Sequence, residues 1–290
     1  MTSRPEPRPV VLIHGLLSTP REFGLIALPL RAAGVPLVAV EVDGYTEADR
    51  RRPKSWRAWV DAATRAVERA APTDRPFVLG GLCTGGLIAA MLALEGRFEV
   101  DRLVMMSPTF AFDGWGQTRL RHWRRAAYAL GLSRWISLRE QSPYGIKNEK
   151  LRLWVERDMR QRAQSAAGPD RLPLWGVQET ERLKAHVLRG LPRLAMPATV
   201  MHARSDEVCS FEVVERVVRT MPKGTTLVAL EDSFHMITLD NDRARVAGEL
   251  IRAATASADA SFDAKRASSS NRPCAPATLP DFSRADAAAA

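Results

Sequence analysis

The sequence predicts an α/β fold: a doubly wound, mostly parallel sheet with an inserted helical cap. Short apolar strands alternate with longer helical patterns. The strands are continuous apolar runs, which indicates that both faces of the sheet are buried. This alternation stops over residues 111–195, which predicts the cap. With 290 residues and a hydrophobic fraction of 46%, the chain is long enough for one core domain that carries an insertion.

Each element follows from its local pattern. The run Val-Val-Leu-Ile at 10–13 is typical of a buried strand, whereas Trp56, Trp59 and Val60 recur at helical spacing. Pro20 and Gly34 mark the start and end of the first helix. The pattern predicts strands over 9–15, 36–42, 75–81, 101–108, 197–203 and 225–231, and helices over 20–34, 55–71, 84–96, 211–221 and 240–254.

We assign the core domain to residues 9–110 and 196–255. The segment 111–195 and the two termini differ from it in composition. The cap segment holds five of the seven tryptophans, and its 14 arginines and three lysines against eight acidic residues give it a net charge of +9. It has no strand-like run, so we expect it to be mostly helical. We expect residues 1–8 to be flexible and residues 256–290, which lack apolar periodicity, to be disordered.

Cysteine content and charge limit the compartment and the partners. Cys83, Cys209 and Cys274 are odd in number and lack the C-x-x-C spacing, which favours a reducing compartment over a disulfide framework or a metal site. Because no apolar run suits a secretory signal or a membrane span, we expect a cytoplasmic protein. The net charge of +9 favours an anionic partner or a well-solvated surface. Nucleic acid is disfavoured because no binding motif accompanies the charge.

The stretch Gly-Gly-Leu-Cys-Thr-Gly-Gly at 80–86 lies where a predicted strand ends and a helix begins. A nucleophile at the tip of such a turn needs strained backbone angles and small neighbours two positions away. Gly81 and Gly85 flank Cys83 at those positions, although glycines also serve ordinary helix–strand packing. The turn would aim the backbone N–H of Thr84 at a developing negative charge. The stretch therefore predicts Cys83 as a nucleophile.

Such a nucleophile needs an imidazole base and an orienting carboxylate, in the chain order nucleophile, acid, base. His235 lies in the loop between the last strand and the last helix, so we predict it as the base. Asp206 follows the preceding strand and is predicted to orient it, although it also fits a turn or a helix cap. Asp232 and Asp240 compete with it, but Asp232 is too near His235 and Asp240 is expected to cap the final helix. The remaining histidines are expected to be structural or solvated: His14, His122, His186 and His202.

With these motifs the sequence resembles the α/β-hydrolase superfamily, in particular the small bacterial carboxylesterase and monoacylglycerol lipase group. The resemblance rests on the stretches at 12–23, 55–62, 79–87, 200–208 and 233–243. It implies the α/β-hydrolase fold, a lid over the site, and hydrolysis of carboxylic esters without a cofactor or metal. By analogy with loops of that type, the backbone N–H of Leu16 would hold the oxyanion together with that of Thr84.

The sequence departs from the family at two points. The nucleophile is normally serine, and Cys83 stands in its place; many members also carry Gly-His-Gly where this chain has Val-Asp-Gly-Tyr-Thr-Glu at 42–47. Cysteine occupies the same turn in polyhydroxyalkanoate synthases and dienelactone hydrolases, so the change is compatible with activity. An S-acyl-cysteine is itself a thioester, which favours thioester substrates or acyl transfer more than a serine would.

Three functions remain open at this point. The first is a hydrolase that cleaves an ester or thioester of an acyl chain through an S-acyl intermediate on Cys83. The second is an acyltransferase that moves an acyl group from coenzyme A or acyl carrier protein to an amine or alcohol. The third is a non-catalytic binding protein, against which the presence of all three residue types argues. The basic cap would suit acyl carrier protein, coenzyme A or peripheral contact with an anionic membrane, and a solvated helix face is the alternative.

Overall fold

The structure, a computed structural model, describes residues 6–117, 121–162 and 164–256. In chain order its helices and strands are β1 (Val10–Ile13), α1 (Gly24–Ala32), β2 (Leu37–Val40), α2 (Trp56–Ala70), β3 (Phe77–Leu82), α3 (Thr84–Glu95), β4 (Val100–Met106), α4 (Arg121–Ala129), β5 (Ser137–Arg139), α5 (Glu149–Arg162), β6 (Gln164–Ser165), β7 (Gly168–Pro169), β8 (Arg171–Pro173), α6 (Leu174–Gly190), β9 (Ala198–Ala203), α7 (Phe211–Thr220), β10 (Thr226–Leu230) and α8 (Arg243–Thr255).

Six of these strands form a parallel sheet in the order β10-β9-β4-β3-β1-β2. The chain starts inside the sheet at β1, adds β2 on one side, and then adds β3, β4, β9 and β10 on the other. The predicted doubly wound, parallel α/β fold is therefore confirmed. Because all six strands run in one direction, their carboxyl ends share one edge of the sheet, and the loops that follow them meet there.

Both faces of the sheet are covered. Val11 and Ile13 point into a core formed with α2, α3, α6 and α7, whereas Val10 and Leu12 point into a second core formed with α1, α5 and α8. Trp59 on α2 is fully buried in the first core. Burial on both faces explains why the strands are continuous apolar runs rather than alternating ones.

Element boundaries differ from the predicted ones by a few residues, as is usual for helix ends. The first predicted helix begins as a 3-10 turn at Pro20–Phe23 and continues as α1. The expectation that Asp240 caps the last helix is wrong, because the N-cap of α8 is Asp242. The Asp240 carboxylate is buried and accepts the backbone N–H groups of Lys147 and Asn148 at 2.7 and 2.9 Å. It therefore joins two distant loops.

The segment between β4 and β9 contains α4, α5 and α6 together with four short strands. β5 pairs with β8 and β6 pairs with β7, both antiparallel. These strands were not predicted, because strands of two or three residues leave no readable periodicity in the sequence. α6 packs on α2 and α3 and buries Leu183 and Val187 in the first core.

The predicted limits of the cap, 111–195, stay a prediction. So does the disordered tail, which apart from Ala256 lies outside the described residues, as do the first five residues of the predicted flexible N-terminus. Within the described ranges, every helix is too short or too polar to cross a membrane.

Candidate active site

Cys83 lies at the tip of the turn between β3 and α3, with φ 55° and ψ −123°. This left-handed conformation costs a residue with a side chain about 1–3 kcal/mol, so packing must hold it in place. A Cβ atom added to Gly81 would collide with the carbonyl group of Gly85, and one added to Gly85 would collide with the carbonyl oxygen of His14. The two glycines are therefore required by the close approach of the turn to its neighbours, and the turn lifts the thiol from the edge of the sheet.

The Cys83 thiol is partly exposed and has polar neighbours. Its Sγ lies 3.0 Å from Thr109 Oγ1 and 3.8 Å from Thr84 Oγ1. Burial raises the pKa of the thiol, but the positive charge of His235 and the contacts with Thr109 and Thr84 outweigh burial, and the pKa falls below its ordinary value. A lowered pKa increases the thiolate fraction, which is the nucleophilic form.

Asp206 and His235 form a buried pair beside the thiol. Asp206 Oδ2 accepts from His235 Nδ1 at 2.8 Å, while Oδ1 accepts the backbone N–H groups of Val208 and Cys209 at 2.7 and 3.0 Å. Asp206 thus closes its own turn with one oxygen and faces the imidazole with the other. Among the described residues, His235 Nε2 has no hydrogen-bond partner. That nitrogen is the one available to a thiol or a substrate.

The charges of Asp206 and His235 stabilise each other. Burial raises the pKa of Asp206, but the charges of His235 and His202 lower it below its ordinary value. Burial lowers the pKa of His235, but Asp206 and Cys83 raise it well above its ordinary value. Asp206 is therefore ionised at neutral pH, and it stabilises the protonated form of His235. The competitor Asp232 lies elsewhere, in an exposed ion pair with Lys147 at 2.9 Å.

Glu207, the residue after Asp206, fixes the backbone of the His235 loop. Its Oε2 accepts the His235 backbone N–H at 3.1 Å. Burial, reinforced by Asp206, raises the pKa of Glu207 to about 7. Sequence reasoning missed this residue, although its position next to the predicted acid was a usable signal. Thr109, also missed, follows β4 at the same edge of the sheet.

The loop after β1, which carries Leu16, rests on a buried carboxyl group. Glu22 is 1% exposed, and its Oε1 accepts the Gly15 backbone N–H at 2.6 Å. A Cβ atom added to Gly15 would lie 3.5 Å from both Cys83 Cβ and Glu22 Oε2, so Gly15 lies between Glu22 and Cys83. Burial raises the pKa of Glu22 to about 8. Its position in a predicted helix gave no sign of this role.

Two other histidines adjoin the site without facing the thiol. Burial lowers the pKa of His14 to about 4; its Nδ1 donates to the Gly15 carbonyl at 3.0 Å and its Nε2 accepts from the Val42 backbone at 3.3 Å. His202 Nε2 donates to the Cys209 carbonyl at 2.8 Å and lies 3.4 Å from Asp206 Oδ2. His14 therefore links the ends of β1 and β2, and His202 adjoins the carboxylate.

The predicted oxyanion residues lie at the carboxyl edge of the sheet. Thr84 is the first residue of α3, so its N–H lies at the start of that helix, and Leu16 follows β1 at the same edge of the sheet. His186 on α6 donates from Nδ1 to the Arg182 carbonyl at 2.9 Å, and the side chain of His122 lies outside the described residues. Within the described ranges, no three His, Cys, Asp or Glu side chains cluster as metal ligands would. The catalytic roles of the predicted residues stay predictions.

The model of the Hydrolase_4 family, described as serine aminopeptidase S33, matches residues 5–242. No curated protein matches the chain significantly. Among solved structures, the chain is similar to a Paleococcus ferrophilus monoacylglycerol lipase at 16% identity and TM-score 0.66, covering 84% of this chain and 94% of that one. A soluble variant of monoglyceride lipase from Saccharomyces cerevisiae shows 15% identity, TM-score 0.68 and 87% coverage of each chain. The thioesterase domain from the curacin biosynthetic pathway shows 18% identity and TM-score 0.59, covering 85% and 91%. At these identities the structural likeness shows the fold.

Proposed function

The chain belongs to the Hydrolase_4 family of α/β-hydrolases, described as serine aminopeptidase S33, and we propose that it hydrolyses carboxylic esters or thioesters of acyl chains through an S-acyl intermediate on Cys83. One observation carries this proposal: a thiol held in a strained turn lies beside an imidazole whose other nitrogen is bound to a buried carboxylate. The likeness to lipases and to a thioesterase agrees with this substrate class.

In the acylation step, His235 Nε2 takes the thiol proton and Cys83 Sγ attacks the carbonyl carbon of the substrate. The electron pair of the C=O bond moves to oxygen, and the backbone N–H groups of Leu16 and Thr84 stabilise that oxyanion. As the carbonyl re-forms, the C–O or C–S bond to the leaving group breaks and His235 gives its proton to the departing alkoxide or thiolate. Asp206 stabilises the imidazolium between these two transfers.

In the deacylation step, His235 takes a proton from water, and the hydroxide formed attacks the S-acyl carbon. The second tetrahedral intermediate breaks its C–S bond, which releases the carboxylic acid. The proton on His235 returns to the sulfur of Cys83, so the enzyme is restored. The overall reaction consumes one water and needs no other reactant.

Intact-mass spectrometry after incubation with a panel of acyl thioesters and p-nitrophenyl esters tests the proposal. We expect an adduct on the wild-type protein and release of free acid, and we expect Cys83→Ala to lose both. Cys209→Ala is the matched control because Cys209 is a buried thiol away from the turn, and it should keep both. Labelling and turnover that survive in Cys83→Ala would refute the proposal.

Acyl transfer uses the same first step and differs only in the acceptor. Adding candidate amines and alcohols to the same assay distinguishes the two outcomes. Free acid released at an undiminished rate supports hydrolysis. A new ester or amide formed at the expense of the acid would show that the S-acyl enzyme prefers an acceptor other than water.

A further inference from the structure

α4 and the turn after it expose four large apolar side chains: Trp123, Leu130, Leu132 and Trp135. Together with the exposed Ala126 they form what we name the α4 surface. Trp123 is 78% exposed, Leu130 72% and Trp135 85%. Side chains of this size are seldom exposed together on a soluble protein unless the surface binds something.

The orientation of α4 is fixed by a different side of the helix. Ala127 is buried in the first core, and Tyr128 packs against that core. Arg124 pairs with Glu181 at 2.8 Å and lies over the ring of Phe112. Trp123, Ala126 and Leu130 recur at helical spacing on another side, which these anchors leave facing outward.

The segment that carries the α4 surface is basic. Residues 121–136 contain four arginines and no acidic residue, and Arg134 is exposed. Exposed indoles and leucines among arginines are typical of helices that lie in the interface of an anionic bilayer. There the indole ring sits at head-group level and the guanidinium groups meet lipid phosphates. We propose that the α4 surface docks the protein on membranes that contain anionic phospholipid, with Trp123 and Trp135 at the depth of the head groups.

The same charge disfavours the other occupants. A two-fold dimer through this surface would bring the exposed Arg134 of each copy towards an identical basic segment, and residues 121–136 of that segment supply no acidic partner. An acidic protein would meet the arginines, but two indoles that are each more than three-quarters exposed call for an apolar layer as well. A bilayer interface supplies both an anionic and an apolar layer.

Vesicle co-sedimentation tests this proposal with the full chain. We expect the protein to bind vesicles of phosphatidylcholine mixed with phosphatidylglycerol, to bind phosphatidylcholine alone much more weakly, and to lose affinity as salt is added. The double variant Trp123→Ala/Trp135→Ala should bind the mixed vesicles about tenfold or more weakly. Arg134→Gln should weaken binding about fivefold.

Two controls separate this surface from general effects and from the proposed chemistry. Trp154→Ala should bind like the wild type, because Trp154, 45% exposed, lies on α5, which packs on the opposite face of the sheet. Cys83→Ala should also bind like the wild type, since docking does not depend on the proposed function. A thermal unfolding curve for each variant confirms that it is folded.

Three results would overturn the proposal. The first is a wild-type protein that stays in the supernatant with both kinds of vesicle. The second is a dimer, seen by sedimentation velocity, that the double tryptophan variant dissociates. The third is binding to an acidic carrier protein, but not to vesicles, that depends on Trp123 and Trp135.

Discussion

Glu22 offers a sharp test of the interior of the site, because burial raises its pKa from the ordinary 4.5 to about 8. The carboxyl group is 1% exposed and is therefore protonated in the folded protein across a range where the unfolded chain ionises it. A raised acid pKa stabilises the folded protein most below pH 4.5, and this contribution falls as the pH rises to about 8. Glu22→Gln removes this titration and keeps an oxygen that can accept the Gly15 N–H.

The magnitude follows from the two pKa values. Between pH 5 and pH 8 the wild-type protein should lose about 3–4 kcal/mol of unfolding free energy through Glu22 alone, because each pH unit in most of that range contributes close to 1.4 kcal/mol. The Gln variant should lose none of it. The difference in unfolding free energy between variant and wild type should therefore rise by about 3–4 kcal/mol in favour of the variant from pH 5 to pH 8.

Urea denaturation of both proteins at intervals of pH measures that difference, and every group common to both cancels. Glu68→Gln is the matched control, because it makes the same chemical change at an exposed position on α2. A Glu22→Gln difference curve that does not change with pH would refute the reasoning, since Glu22 would then ionise in the folded protein as it does in the unfolded chain.

The remaining predictions concern groups in contact with the thiol and the imidazole. Asp206→Asn should lower kcat/KM about 10³–10⁴-fold, because His235 loses its stabilising carboxylate; ester hydrolysis above a tenth of the wild-type rate would contradict this. Thr109→Val should raise the pKa of Cys83, measured by the pH dependence of iodoacetamide alkylation, and an unchanged profile would exclude the Thr109 contact as a cause. Glu207→Ala should lower kcat/KM about tenfold more than Glu207→Gln, which retains an acceptor for the His235 backbone; equal losses would show that this hydrogen bond is unimportant.

The fold could be predicted because its signals are local. Strands buried on both faces are continuous apolar runs, and the helices between them bury tryptophan and valine at helical spacing. Gly81, Cys83 and Gly85 were readable for the same reason, because a sharp strand-to-helix turn restricts residue types within five positions. The order of Asp206 and His235 then followed from which strands they succeed.

The features that the sequence did not predict depend on contacts between distant parts of the chain. Asp240 looks like a helix cap in sequence, but it is buried against the backbone of Lys147 and Asn148, more than 90 positions away. Glu22 has the place of an ordinary helix residue, yet it accepts from the loop that carries Leu16. Neither contact leaves a periodic or compositional trace.

The pKa values of Asp206, Glu22 and Glu207 differ because these carboxyl groups have different partners. Asp206 faces His235 and two backbone N–H groups, and its pKa is lowered; Glu22 and Glu207 are buried with fewer compensating partners, and their pKa values rise to about 8 and about 7. Near neutral pH, Asp206 is therefore ionised, Glu22 is mostly protonated and Glu207 is partly protonated. Three ionised carboxylates would add negative charge beside Cys83 and oppose thiolate formation. The protein instead concentrates its carboxylate charge on the residue that contacts the imidazole, which favours a thiolate paired with protonated His235.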